Sequence, residues 1–93
     1  IKLIGHSIVQ RNISMLSETY PPGADTGEDM IKYDGEEAGI VVQGEIELTV
    51  DQKIYQLVTG DGYFFQTHLP HRFRNLGDVT AKVVSANTGS QTH

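Results

Sequence analysis

The stretch GEEAGIVVQGEIELTV, residues 35–50, decides the fold because it holds two strand patterns separated by Gly44. Its second half, EIELTV at residues 45–50, alternates polar and apolar side chains, which is the period of a half-buried antiparallel strand. The β-branched run before Gly44 predicts another strand that ends in a turn. Polar residues 51–52 separate this stretch from KIYQLV at residues 53–58, so the pattern predicts a hairpin.

The same rhythm of short strands continues through the rest of the chain. We expect further strands at residues 3–10, 12–20, 38–44, 63–65, 71–75 and 81–87, with a turn-rich acidic loop at residues 21–29. Glycine and proline interrupt every window that could form a helix, and turn signals recur at roughly 8–12-residue intervals, as in sandwiches and barrels. The sequence therefore predicts a single all-β antiparallel domain that spans residues 1–93.

Composition and charge exclude several classes of function. With 7 basic against 12 acidic residues and a net charge of −5, this domain lacks the clustered lysine and arginine that nucleic-acid binding needs. The absence of cysteine excludes disulfides and thiolate metal sites and fits a cytoplasmic location. No apolar run approaches the ~20 residues of a membrane span, so we expect no membrane association. A 93-residue domain has a modest core, which favours stabilisation as a homodimer.

Polar residues with chemical potential concentrate in THLPHRFRN, residues 67–75, which contains two of the four histidines. Alternation places His71, Phe73 and Asn75 on one face of a strand and both arginines on the other, outward face. His71 either lines a pocket or is a structural histidine bonded to a backbone carbonyl, and its spacing alone favours the structural role. Glu36–Glu37 are adjacent and therefore point to opposite faces, so they cannot act together as an acid/base pair.

Residues 14–88 resemble the cupin superfamily, whose members carry two short signatures on opposing strands of a small β-barrel. The first signature ends in a glutamate, six further residues and a glycine. The second contains a glycine, then a histidine, and an asparagine four positions after that histidine. The positions that match these patterns are Glu37, Gly44, Gly60, His71 and Asn75. The resemblance implies a small antiparallel β-barrel or jelly roll of the cupin type.

In the order and spacing of its motifs, the chain is similar to the C-terminal cupin domains of bacterial helix-turn-helix (XRE-type) transcriptional regulators. This group includes the putrescine-utilisation repressor. The resemblance implies a sensor domain that takes up a small-molecule effector and pairs subunits, while DNA contact belongs to an N-terminal domain. Because the chain begins at Ile1 and not at a methionine, we expect such a domain to precede it in a longer product.

The metal site of typical cupins is only partly matched. The resemblance places the two histidines of the first signature at Ile31 and Tyr33, which leaves Glu37 and His71 as the matching ligands. A catalytic zinc or a non-haem iron normally has three protein ligands, and only His68 could complete such a set here. We therefore expect no tight catalytic metal site, whereas a weakly bound divalent metal at Glu37 and His71 stays open.

The same positions suggest direct recognition of a ligand. The residues predicted to contact it are Tyr33, Glu37, Phe65, His71 and Phe73, with Met15 as a further lining residue. Apolar pockets with a few polar anchors are typical small-molecule sites, and a buried Glu37 needs a partner such as a cationic head. The resemblance to the putrescine-responsive repressor suggests an amine. The alternative is a structural Glu37 that pairs with an arginine or with His71.

Two other functions remain open from the sequence. A small metal-dependent cupin enzyme, such as an isomerase, decarboxylase or dioxygenase, is supported by Glu37, by His71 and by analogy with the fold, and fold does not imply function. A purely structural dimerisation domain with a vestigial pocket is the third reading. We expect the regulator domain, and not an enzyme, to be the better description.

Overall fold

The computed structural model describes residues 2–4, 13–26 and 34–89, and within these ranges the chain forms strands and no helix. The strands are β1 (Lys2–Ile4), β2 (Ile13–Tyr20), β3 (Glu36–Gln43), β4 (Glu45–Val50), β5 (Lys53–Val58), β6 (Gly62–Gln66), β7 (His71–Arg74) and β8 (Ala81–Thr88). The predicted all-β class is confirmed. Most of the predicted strand at 3–10, the loop end at 27–29, Ile31 and Tyr33 lie outside the described residues. No helix long and apolar enough to cross a membrane occurs in the ranges given above.

The strands form two antiparallel sheets. The order in the five-stranded sheet is β1-β2-β8-β3-β6, and in the three-stranded sheet it is β5-β4-β7. The last strand, β8, lies between β2 and β3 and pairs antiparallel with both of them. This crossed order, in which chain neighbours are separated by a strand from the far end of the sequence, is the arrangement of a jelly roll.

Within residues 35–50, β3 ends and β4 begins at Gly44, which confirms the predicted turn, and the chain passes there from one sheet to the other. Strands β4 and β5 pair from Glu45 with Val58 to Val50 with Lys53, which confirms the predicted hairpin. At the turn, Asp51 has a φ of 59°, a left-handed conformation that aspartate tolerates better than most residues. Between β3 and β4, Gly44 has a φ of 74°, and a β-carbon there would lie 2.7 Å from the carbonyl oxygen of Thr80. A glycine is therefore required at this corner.

The hydrophobic core lies between the two sheets. Its buried apolar residues are Tyr20, Val41, Phe65, Ala81 and Val83 from the five-stranded sheet and Ile46, Leu48 and Phe73 from the three-stranded sheet. Phe73 joins the sheets, since its ring lies 5.8 Å from that of Tyr20 and 5.6 Å from that of Tyr63. The inner faces of both sheets thus pack on one another through aromatic contacts.

Strand β7 is covered on its outer edge by the loop that follows β2. Gly23 N–H donates to Asn75 O at 2.9 Å, Asn75 N–H to Ala24 O at 2.9 Å, and Thr26 N–H to Phe73 O at 3.0 Å. These bonds satisfy backbone groups that an edge strand would otherwise expose.

The two arginines of β7 point away from the core, as predicted. Arg72 forms a two-bond ion pair with Asp25 of the covering loop. Arg74 donates to Glu47 Oε1 on β4 through Nε at 2.8 Å and through Nη2 at 2.7 Å. Both guanidinium groups are therefore engaged on the outer face.

Candidate functional site

Glu37 is a buried carboxylate on the inner face of the five-stranded sheet. It lies on β3, where its cross-strand partners are Phe65 on β6 and Asn87 on β8. Only 7% of its surface is exposed, whereas the neighbouring Glu36 is exposed on the opposite face. The prediction that these two carboxylates cannot act as a pair is confirmed.

Tyr63 is the hydrogen-bond donor to Glu37. Its hydroxyl donates to Glu37 Oε2 at 2.7 Å, from β6 across to β3. The tyrosine pairs across the strands with Gly39, and a β-carbon on Gly39 would collide with the phenol. The glycine thus leaves the space through which Tyr63 reaches the carboxylate. Within the described residues, Arg72 and Arg74 do not pair with Glu37, because they bind carboxylates on the outer face.

Burial changes the protonation of Glu37. Removal from water raises the pKa of this carboxyl from 4.5 to about 7, because the charged form loses its hydration. The hydrogen bond from Tyr63 lowers the pKa, and the nearby charge of Glu18 raises it. Near neutral pH the group is therefore poised between its charged and neutral forms, which is unusual for a carboxylate.

A second tyrosine–carboxylate pair lies on β2. The Tyr20 hydroxyl donates to Glu18 Oε2 at 2.5 Å, and the two residues are on the same face of the strand. Burial raises the pKa of both Tyr20 and Tyr63, and the charges of Glu18 and Glu37 add to that effect. Both phenols accordingly stay neutral hydrogen-bond donors.

His71 begins β7 with its ring inside the molecule and 6% of its surface exposed. Its Nδ1 lies 2.8 Å from the carbonyl oxygen of Leu69, and because a carbonyl only accepts, Nδ1–H must donate. Burial lowers the pKa of His71, while the carbonyl of Leu69 opposes that effect, so the neutral imidazole is favoured. The structural reading of the histidine, a ring bonded to a backbone carbonyl, is confirmed.

Aromatic rings surround the polar groups. The ring of Phe65 lies 4.8 Å from that of His71, 5.9 Å from that of Tyr63 and 6.5 Å from that of Phe73. Together with Tyr20 these rings form a continuous aromatic cluster between the sheets. Ring faces carry partial negative charge, so the cluster adds to the negative potential of the carboxylates.

A cavity of about 270 Å³ opens between the edge strands β5 and β6. Its lining residues are Leu48, Val50, Tyr55, Leu57, Gly62, Tyr63, Phe64 and Phe65. Two of them contact Glu37. Tyr63 donates a hydrogen bond to its carboxylate, and Phe65 is its cross-strand partner. A larger depression of about 400 Å³ lies elsewhere, between the β3–β4 corner and the loop after β7, and none of the predicted site residues that the structure describes lines it.

Several predicted site residues come together. Glu37, Phe65, His71 and Phe73 are all buried between the sheets. Met15 is not among them, because it is 37% exposed and pairs with Ala86 on the outer face of the five-stranded sheet. The prediction that Met15 lines the pocket is wrong, because the even-numbered residues of β2 are the ones that face the interior. Tyr33 lies outside the described residues.

Sequence reasoning missed Tyr63, Tyr20 and Glu18. The alternation that identified Phe65 places Tyr63 on the same inner face two positions earlier, so this signal was available. For Glu18 and Tyr20 the same-face spacing of two was present, but nothing in the sequence indicates that β2 lies close enough for its carboxylate to act on Glu37.

The donor set required for a catalytic metal is incomplete. Among the residues that the structure describes, no group of three or more histidine, cysteine or acidic side chains is close enough to hold a metal ion. His68, the third ligand considered together with Glu37 and His71, is exposed on the turn after β6. Glu37 also accepts the bond from Tyr63, so the two matching residues do not fit a site with three protein ligands.

Two antiparallel sheets that enclose a polar and aromatic interior define a small jelly roll of the cupin type. The Cupin_2 family profile, described as a cupin domain, matches residues 16–87, and the chain belongs to this family.

Curated proteins with similar sequences include a transcriptional regulator. The chain is 42% identical over 88 residues to the HTH-type transcriptional regulator PuuR of Escherichia coli strain K12, a match that covers 95% of this chain and 47% of the regulator. It is 38% identical over 63 residues to protein SchB of Streptomyces halstedii, covering 68% of this chain and 45% of that protein. The chain thus spans about half the length of these curated relatives.

Solved structures share the fold. The Cupin_2 domain of an XRE family transcriptional regulator from Enterobacter cloacae superimposes with a TM-score of 0.83 at 21% identity, over 97% of this chain and 95% of that one. An oxalate oxidase superimposes with a TM-score of 0.73 at 22% identity, over 84% of this chain and 42% of the enzyme. At these sequence identities the superpositions establish the fold alone. The function has to be argued from the residues of the site.

Proposed function

We propose that this domain is the ligand-sensing and dimerisation part of a bacterial transcriptional regulator, and that its effector is a small organic cation, an amine. The observation that carries the proposal is Glu37, a buried carboxylate that accepts a hydrogen bond from Tyr63, which itself lines the 270 Å³ cavity. The 42% identity to a helix-turn-helix regulator supports the regulatory role.

The chemistry of the interior favours a cation over an anion or a neutral molecule. A carboxylate in an apolar environment is stabilised by a positive partner, and the two arginines of β7, which the structure describes, bind other carboxylates. An ammonium group would satisfy that carboxylate, receive further attraction from the negative charge of Glu18, and lie against aromatic faces. Its arrival would lower the pKa of Glu37 and release a proton.

Subunit pairing in this proposal uses the outer face of the five-stranded sheet. Four residues form a cross-strand row there, namely Phe64, Ala38, Ala86 and Met15. Phe64 is 63% exposed and Ile40, two positions from Ala38, is 43% exposed. An exposed apolar sheet face of this kind suits a second copy of the chain. Sedimentation velocity of Ile40→Glu, against Val79→Glu on a distant loop as control, should show loss of the dimer only in the former.

The regulatory step needs a partner domain. In the proposal, an intracellular DNA-binding domain on the same polypeptide reads the operator, and the effector binds the two DNA-binding states with different affinity. A coupling of about 1–3 kcal/mol is usual for such switches. A metal-dependent enzyme is less well supported, because Glu37 and His71 gain no third donor within the described ranges.

The test uses three four-carbon probes that differ in charge: n-butylamine, 1-butanol and butyrate. Calorimetry and thermal shift should detect binding of the amine and little or none of the other two. Glu37→Gln should weaken amine binding by about tenfold or more, since removal of a buried charge partner costs at least ~1.4 kcal/mol. Glu36→Gln, one residue away on the exposed face, is the matched control and should bind like the wild type.

Two results would count against this proposal. Equal binding of butyrate and the amine would refute the selectivity for a cation. Equal amine affinity in Glu37→Gln and the wild type would refute the role of Glu37. In the longer regulator, operator binding titrated with the amine should respond in the wild type and fail to respond in both Glu37→Ala and His71→Ala. An unchanged response in both variants would place the sensing site elsewhere.

A further inference from the structure

Thr67 is a fully buried hydroxyl with no hydrogen-bond partner. The residue has 0% exposure, and its Oγ1 is unpaired among the side chains of the described ranges. Exposure alternates along this segment, with Phe64 and Gln66 outside and Phe65 and Thr67 inside. The hydroxyl therefore lies on the inner face of the sheet, on the same side as the aromatic cluster.

Thr67 lies close to Glu37 through the register of β3 and β6. Glu37 pairs with Phe65, and Thr67 extends the ladder by donating its N–H to Gly35 O at 2.9 Å. Glu37 and Thr67 are thus diagonal neighbours on one face, which places their α-carbons about 7–8 Å apart. The residue opposite Thr67 is a glycine, so it offers no side chain to bond the hydroxyl.

A buried polar group without a partner destabilises the folded protein, and natural proteins retain few of them. A valine at this position would fill the same volume without that cost. Retention of the hydroxyl is accounted for if its partner arrives with the ligand.

We propose that Thr67 is a specificity-determining residue of the effector site. Its hydroxyl bonds a second polar group of the ligand, several bonds from the ammonium that Glu37 holds. The effector is then an aliphatic amine that carries a further hydroxyl, amine or amide, and not a simple alkylamine. This inference rests on the amine proposal for Glu37 and adds the second contact.

The first experiment measures the ligand-free domain. Thr67→Val should leave the melting temperature unchanged or raise it, because an unpaired hydroxyl is replaced by a methyl group of similar size. A clear fall in melting temperature would mean that the hydroxyl is already bonded, within the protein or to a trapped water, and would overturn the proposal.

The second experiment compares n-butylamine with 4-amino-1-butanol, which adds one hydroxyl to the same chain. Wild type should prefer the amino alcohol by about tenfold, the size of one well-made hydrogen bond to a buried group. Thr67→Val should remove this preference while still binding n-butylamine, and Thr67→Ser should retain it.

The outcomes separate the two proposals. If both amines bind the wild type and Thr67→Val keeps the preference for the amino alcohol, the role of Thr67 is refuted and the amine site stands. If neither amine binds the folded wild type, the amine site at Glu37 is refuted. The proposed contact of the ligand with Thr67 is then refuted as well.

Discussion

Tyr63 lies across Gly39, its cross-strand partner, in the space that a β-carbon on Gly39 would fill. From this position its hydroxyl reaches Glu37, two residues along the same strand as the glycine, at 2.7 Å. The state of the buried carboxylate therefore depends on a residue that has no side chain.

Gly39→Ala should displace Tyr63 from Glu37. The added methyl group overlaps the phenol, so we expect a loss of about 1–3 kcal/mol in unfolding free energy and weaker amine binding. Urea denaturation and calorimetry would measure both effects. Gly62→Ala is the matched control in the same sheet, because a β-carbon there meets nothing closer than 3.4 Å. Equal losses in both variants would contradict the specific role of Gly39.

Tyr63→Phe should raise the pKa of Glu37 above about 7, because the hydrogen bond from Tyr63 is the contribution that lowers it. A carboxyl ¹³C NMR titration would follow Glu37 directly. Tyr55→Phe, at a tyrosine that is 46% exposed, should leave the titration unchanged. A pKa that stays the same or falls in Tyr63→Phe would show that the bond does not stabilise the charged form.

Glu37 should make the domain more stable in mild acid than at higher pH. Its pKa rises from 4.5 to about 7 on folding, so its favourable contribution is full below about pH 4.5 and is lost as pH rises through about 7. The change is on the order of 3 kcal/mol, at 1.36 kcal/mol per pKa unit. Glu37→Gln should flatten this part of the curve of unfolding free energy against pH.

The control for that curve is Glu36→Gln, whose exposed position predicts a pH dependence like that of the wild type. A saturating amine should offset the stability that is lost between about pH 4.5 and about pH 7, since it binds the ionised form of Glu37. A wild-type curve that rises steadily from pH 4.5 to 7, with no difference in Glu37→Gln, would rule out a protonated carboxyl in the core.

Asn75→Ala should destabilise the fold without changing ligand chemistry. The Asn75 side chain donates to Tyr20 O at 2.8 Å and to Val79 O at 2.9 Å, and accepts from Gly77 N–H at 3.0 Å. Truncation leaves these backbone groups without a partner, at a cost of roughly 2–4 kcal/mol in total. Leu76→Ala, at a neighbour that is 64% exposed, should cost under about 0.5 kcal/mol in the same urea titration.

Local patterns were sufficient for most strands. The alternation in residues 45–50 and the polar pair before residues 53–58 predicted a hairpin that the register confirms. The pairing of β8 with both β2 and β3 was not predictable from such patterns, because strand order depends on contacts between distant segments. The same limitation explains the error at Met15, whose face was assigned without knowledge of the β2 register.

The candidate site was predictable in part. Glu37 and His71 were identified by their spacing, and both are buried where that spacing indicated. Strand alternation was sufficient to place Tyr63 on the inner face, but the contacts of Tyr63 and Glu18 with Glu37 join residues that are remote in sequence, so no motif marked them. A buried hydroxyl without a partner, in particular, is a property of packing and cannot be read from residue order.

The amino-acid sequence by itself determined the all-β class, the hairpin and the alternate faces of β7, since strand period and turn chemistry act over a few residues. The tertiary structure alone decided what surrounds Glu37. Its burial, its hydrogen bond from Tyr63 and its pKa of about 7 depend on β6 and β8, which pair with β3 through Phe65 and Asn87, both far from Glu37 in the sequence. Electrostatics in a protein interior follows distance in space, and only the assembled sheets set those distances.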